Sequence, residues 1–191
     1  MILAVTGHRP QKLGGFRTPN PYQVHVVGLL KTALLTYQPS LLITGMALGV
    51  DQWAAELCLT LGIPFFAAIP FHGQEGTWPP KAQATYQWLL SRAAGVHVVC
   101  PGDYSPAKMH ARNDWMVQRC QILVAVWDGS EGGTSACVAK AKERGVPICF
   151  LPCNPPDVAA MPLQVAPAPK YFAKLPGDVE DTTIFNRKVE L

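Results

Sequence analysis

No stretch of this sequence is long and apolar enough to span a bilayer: runs such as Ile122 to Trp127 are strand-sized, against the roughly 20 residues that a crossing needs. Nor does it begin like an exported chain, because Met1 leads straight into Ile2-Leu3-Ala4-Val5 without a basic n-region or a small-residue cleavage site. A cytoplasmic protein is expected. The six cysteines (Cys58, Cys100, Cys120, Cys137, Cys149 and Cys153) never fall at C-x-x-C spacing, so they read as free thiols among apolar neighbours rather than zinc or thioredoxin-like sites. H-E-x-x-H and His-x-His spacings are also missing, and neither a metal nor a resident cofactor is expected. Charge is scarce. Lys and Arg number 16 against 13 Asp and Glu, a net +3 with no block of one sign, so nothing forces a nucleic-acid footprint.

What is present is apolar and regularly spaced. With 191 residues, 49% of them hydrophobic and 15% charged, the chain is too apolar for a disordered one and is sized for one domain with a full core. Short apolar runs at Ile2–Val5, Leu41–Thr44, Pro64–Ile69, Val96–Cys100, Ile122–Trp127 and Pro147–Leu151 predict strands covered on both faces. Between them, apolar positions three or four apart predict helices over Pro21–Gln38, Val50–Leu61, Pro80–Ala94, Pro106–Arg119 and Thr134–Arg144. This βα alternation predicts an α/β, Rossmann-like three-layer fold with a mostly parallel sheet, spanning residues 1–151. Residues 152–191 are expected to form an extended Pro-rich arm, since Pro155, Pro156, Pro162, Pro167, Pro169 and Pro176 break every regular pattern. Met161, Leu163, Tyr171, Phe172 and Phe185 would let that arm pack on the domain.

In such folds ligands sit beyond the carboxyl ends of the strands, so the chemistry is sought in the turns that follow them. The first strand runs into Thr6-Gly7-His8-Arg9-Pro10: a hydroxyl, a glycine that admits close backbone approach, and a guanidinium suited to phosphate. The second gives Thr44-Gly45-Met46-Ala47-Leu48-Gly49-Val50-Asp51, a phosphate-cradle pattern without a Walker lysine or a complete G-x-G-x-x-G. Asp51 falls in the first helical turn, where spacing alone favours capping over ribose binding. After the third strand, Phe71, His72, Gln74, Glu75 and Trp78 place aromatics beside groups able to read a base edge, although Phe71 and Trp78 each read equally as core. The fifth strand ends in Asp128-Gly129-Ser130-Glu131-Gly132-Gly133-Thr134 and opens a helix, the sharpest anion signal in the chain.

These residues resemble the YpsA-like proteins of the SLOG superfamily, relatives of the DNA-processing protein DprA and the LOG phosphoribohydrolases. The resemblance runs in order through Thr6–Pro10 with Leu13-Gly14, Gly45–Glu56, Pro70-Phe71, Gln74-Glu75, Trp78, Arg112-Asn113 and Gly132-Gly133-Thr134. It implies a Rossmann-like fold that binds a nucleotide or nucleotide-derived ligand, and a homo-oligomer. Ligand contacts are then expected from Thr6, Gly7, His8, Arg9, Gly45, Met46, Gly49, Asp51, Gln74, Glu75, Trp78, Arg112, Asn113, Gly132, Gly133 and Thr134. The LOG branch cleaves nucleotide N-glycosidic bonds, and Arg112 matches its functional arginine. Three residues after the matching threonine that branch has a catalytic glutamate, where this chain has Cys137.

Binding without turnover is therefore the first expectation. The alternative is an N-glycoside hydrolase that recruits Glu75 or Asp51, with Arg112 holding phosphate; Asp114 would also be available, unless it pairs with Arg119 or Lys108 on its own helix. A further alternative, single-stranded nucleic-acid binding as in DprA, asks for a basic groove that this composition does not favour.

Overall fold

The computed structural model describes residues 1–156. Six strands alternate with five α-helices: β1 (Ile2–Gly7), α1 (Pro21–Tyr37), β2 (Leu41–Thr44), α2 (Val50–Leu61), β3 (Phe65–Ile69), α3 (Pro80–Leu90), β4 (Gly95–Val98), α4 (Pro106–Arg119), β5 (Ile122–Val126), α5 (Gly133–Glu143) and β6 (Ile148–Leu151). All five strand pairings are parallel, in the order β4-β3-β2-β1-β5-β6. The expected Rossmann-like three-layer α/β fold is what the chain forms.

Side-chain alternation along the strands divides the core. Leu3, Val5, Leu42, Phe65 and Ile69 face α1, α2 and α3, packing on Val26, Leu30, Ala54, Cys58 and Leu89. Ala4, Ile43, Phe66, Ala68 and Leu123 face α4 and α5, meeting Met116, Val117, Cys137 and Ala141. Burial on both faces explains the continuous apolar runs, and each large side chain so removed from water contributes about 1.5–3 kcal/mol.

Local chemistry sets the helix starts. Asn20 accepts a 2.9 Å bond from the Gln23 N–H and precedes Pro21, while Ser105 accepts from the Lys108 N–H and precedes Pro106. Several boundaries shift by one or two residues from the sequence pattern, and the largest difference is at α3, which stops at Leu90, four residues before Ala94. Arg92 and Ala93 tighten into bonds with the carbonyls of Leu89 and Leu90, and the Ala94 N–H then joins the sheet at Phe65 O, 2.8 Å away.

The topology also locates the crevice. Chain order runs from β1 outward to β4, then returns through α4 to the other side of β1, so the direction reverses between β1 and β5. β6 ends at Leu151, and Cys153 and Pro155 are buried just beyond it. The rest of the expected arm lies outside the described residues. Among the described residues no helix is long and apolar enough to cross a membrane.

Candidate functional site

At the switch point, β1 and β5 deliver a linked pair of turns. Gly7 is in register with Val126, which brings His8 beside the start of the β5 turn. His8 is buried, and its Nε2 lies 2.7 Å from Asp128 Oδ1. The Ser130 N–H and hydroxyl donate to the same oxygen at 2.8 and 2.5 Å, and together with His8 they hold the Asp128 carboxyl well below the usual range. With Asp128 ionised, Nε2 carries the His8 proton. Lys12 donates to the Ser130 hydroxyl at 2.5 Å, closing the constellation. Arg9 is exposed, and its guanidinium makes no hydrogen bond or ion pair among the described residues.

The β2 turn is shaped by close approach. A Cβ on Gly45 would lie 1.4 Å from Arg112 Nη1, and one on Gly49 2.8 Å from the His8 carbonyl oxygen, with Gly49 also at φ +94°. Glycine alone fits at position 49, and at position 45 a side chain would displace the Arg112 guanidinium. Met46 adopts φ +57°; its side chain is fully buried, so it offers a ligand backbone only. Thr44 Oγ1 donates to Asp51 O at 2.9 Å and accepts from the Met46 N–H, and the Gln52 and Gln74 side chains donate to Met46 O.

Asp51 does not cap its own helix as spacing suggested. Its carboxylate reaches back to accept from the Ala47 N–H at 3.3 Å and stands 3.6 Å from Arg112 Nη1. Burial pushes its carboxyl above the ordinary range, opposed first by Arg112, then by the Ala47 N–H and Arg9. Arg112 is itself buried, and its Nε and Nη1 have no hydrogen-bond partner among the described residues.

Helix α4 joins the two halves. Arg112 reaches the β2 turn, while the next residue, Asn113, donates to Gly133 O at 3.2 Å at the start of α5. That helix has Gly132 as its N-cap, whose own N–H donates to the Ser135 hydroxyl at 2.9 Å, while the N–H groups of its first turn, like those of any helix, lack intrahelical acceptors. Thr134 is buried there, and one turn on Cys137 is hydrogen-bonded to Thr6 and pushed up to about 11 by burial.

Beyond β3, Gln74 donates to Gly45 O at 3.4 Å and to the Tyr86 hydroxyl at 3.1 Å. Glu75 accepts from Gln87 at 2.5 Å through Oε1, and its Oε2 is buried without a partner among the described residues. Trp78 is half-buried, packing edge-on against Tyr86 at 5.4 Å and lying against the core cluster. Asp114 pairs with neither Lys108 nor Arg119: it meets Arg144 of α5 at 2.9 Å and accepts from Gln118. No group of three or more His, Cys, Asp or Glu side chains among the described residues could hold a metal ion.

Most of the expected residues therefore meet at one rim. Thr6 to Arg9, Gly45 to Asp51, Gln74, Arg112, Asn113 and Gly132 to Thr134 are linked by the contacts above, with Glu75 one residue further. Asp128, Ser130 and Lys12 adjoin the same rim, and their adjacency to His8 follows from β1–β5 pairing, which no local spacing reveals.

The fold is that of a Rossmann-like α/β domain with its strand-end turns gathered at one rim. The YpsA model, described as the YspA SLOG family, matches residues 3–145, and the chain belongs to that family. It is similar to a UPF0398 protein of Bacillus cereus strain B4264, 28% identical over 155 residues covering 75% of this chain and 84% of that one. It also resembles the SPbeta prophage-derived protein YoqJ of Bacillus subtilis strain 168, 36% identical over 118 residues, 53% of this chain and 68% of that one. Among solved structures, DprA of Helicobacter pylori aligns at TM-score 0.57 and 19% identity over 83% of this chain and 67% of that chain. DprA of Streptococcus pneumoniae aligns at 0.53 and 19%, and this chain spans 51% of its length. The molybdenum cofactor carrier protein of Chlamydomonas reinhardtii aligns at 0.50 and 21%, over 78% and 74%. At these identities the structural likeness is one of fold.

Proposed function

We propose that this protein binds a nucleotide or nucleotide-derived small molecule at the carboxyl ends of its strands, with an anionic group held by Arg112, Arg9 and the first turn of α5. The observation that carries the reading is the buried Arg112 guanidinium, with Nε and Nη1 unpartnered and its nearest carboxylate at 3.6 Å, beyond hydrogen-bond length. Burying such a cation without acceptors is costly, and an anionic ligand supplies both acceptors and charge. The switch-point crevice and the open helix start favour the same kind of group.

Relatives in fold support the class without fixing its member. The Helicobacter pylori DprA is described as binding single-stranded DNA and the Chlamydomonas protein as carrying the molybdenum cofactor. A net charge of +3 favours a small anion over a nucleic-acid strand, whose binding would weaken steeply with salt. Binding is also favoured over N-glycoside hydrolysis: a thiol pushed up to about 11 stays neutral at Cys137, so it does not replace a carboxylate beside an oxocarbenium-like centre. A homo-oligomer in the cytoplasm completes the proposal.

The deciding experiment is mass spectrometry of the protein incubated with a mixed nucleotide panel, retained material being separated from filtrate. An intact retained nucleotide is the expected outcome. Free base with a sugar phosphate in the filtrate makes this a glycosidase instead, and an empty retained fraction overturns both. Light scattering on the same sample reads the oligomeric state.

A further inference from the structure

Beside the anion-holding turns lies a cleft that they do not use. It has a volume of about 150 Å³ and is lined by Ile69, His72, Gly73, Glu75, Tyr86, Gln87 and Leu90. Two of its walls are aliphatic and one is an aromatic ring, the lining that a flat heterocycle prefers. Its polar side chains are His72, Glu75, Gln87 and the Tyr86 hydroxyl, and Glu75 brings an acceptor without a partner among the described residues. Glu75 Oε1 takes the Gln87 amide N–H, and Glu75 Oε2 is buried and unpartnered among the described residues.

Size narrows the occupant. Drug-sized ligands fill about 300–1,000 Å³, so this cleft admits one ring system and leaves any attached sugar and phosphate outside. The outside part has a defined neighbour: Gln74 hydrogen-bonds both Tyr86 of the cleft and Gly45 O of the turn that receives Arg112. Neighbouring strands lie about 4.8 Å apart, so the β3 loop and the β1 turn are separated by about 10 Å, within the reach of a nucleotide from base to phosphate.

Resting on the binding function proposed above, we infer that the Glu75 cleft is the base subsite of that ligand and selects a nucleobase with an exocyclic amino group. The amino N–H donates to Glu75 Oε2 while the ring lies between Ile69, Leu90 and the Tyr86 ring. A base edge that offers only acceptors there would face a carboxylate and lose the match.

The test is isothermal titration of the full chain with GMP, AMP and purine riboside 5′-monophosphate, whose base has neither an exocyclic amino group nor an N1–H. GMP or AMP is expected to bind about tenfold more tightly than purine riboside 5′-monophosphate, the consequence of leaving one buried acceptor unpaired. Glu75→Gln and Glu75→Ala are each expected to bring the preferred nucleotide to within about twofold of purine riboside 5′-monophosphate, with melting temperature reporting that both variants fold. Equal binding of all three nucleotides overturns the base subsite alone. Discrimination that survives in both variants also overturns it. Binding of none overturns this inference together with the anion site on which it rests.

Discussion

The guanidinium of Arg112 lies so close over Gly45 that a single methyl group there would stand 1.4 Å from Nη1 and 2.3 Å from Cζ. Gly45 is thus the seat of the buried cation. Gly45→Ala is expected to push Arg112 out of place, lower stability by about 1–3 kcal/mol and weaken nucleotide binding at least tenfold. Thermal melts with and without the nucleotide panel check this; an unchanged ligand-induced shift in melting temperature would show that Arg112 does not touch the ligand.

Asp51 and Arg112 stand or fall together. Removing the cation in Arg112→Ala leaves a buried carboxylate that only the Ala47 N–H, Arg9 and the Gly45 N–H still hold down. At pH 8 the loss is expected to be about 3 kcal/mol, the usual order for breaking a buried pair. Asp51 is already pushed upward, and without Arg112 it protonates more readily when folded, so the deficit shrinks toward pH 5. Adding Asp51→Asn to Arg112→Ala is expected to recover most of the stability. Denaturant melts of the two single variants and the double variant form the cycle, and simple additivity contradicts the coupling.

Much of this architecture is legible in the chain, and the reason is burial. Strands covered on both faces must be apolar throughout, so β1, β2, β3 and β5 announce themselves, and Asn20-Pro21 and Ser105-Pro106 mark helix starts by capping chemistry. The turn residues could be assigned to a rim because parallel topology places every such turn at one end. Pairings across elements were not legible. Asp114 has Lys108 and Arg119 on its own helix, yet Arg144, thirty positions away, reaches it through the packing of α4 on α5. His8 and Asp128 meet only because β5 lies beside β1. Asp51 was misread as a cap because a carboxylate in a first turn looks the same whether it faces its own helix or a buried arginine.

Asp128 carries the acid end of the stability profile. Its carboxyl is held low by Ser130 and His8, so the unfolded chain, with an ordinary value of about 3.9, binds that proton first as pH falls. Its contribution is complete above about pH 4 and is lost below it. Asp128→Asn is expected to cost about 1 kcal/mol at pH 6, a modest figure because the side chain is 33% exposed, and progressively less as pH falls from about 4 to about 2. Urea melts of both proteins across this range measure the difference, and a gap independent of pH would rule out the ionised carboxylate as its source.

Glu56, on α2 a turn beyond Asp51, acts in the opposite sense. It is partly buried without an ion-pair partner among the described residues, and desolvation pushes its carboxyl up to about 7. The unfolded carboxyl titrates near about 4.3, so between about pH 4.5 and 7 the folded chain holds a proton that the unfolded chain has released. Stability therefore falls as pH rises through that window, and the deficit is constant above it. Glu56→Gln keeps the shape and removes the charge, so it is expected to gain on the order of 2 kcal/mol at pH 8 and nothing at pH 4. Melting temperatures of the two proteins, recorded at half-unit intervals from pH 4 to pH 8, should start together and separate steadily up to pH 7. Parallel curves would show that Glu56 is already ionised in the folded chain, with water or a neighbour supplying what burial removes.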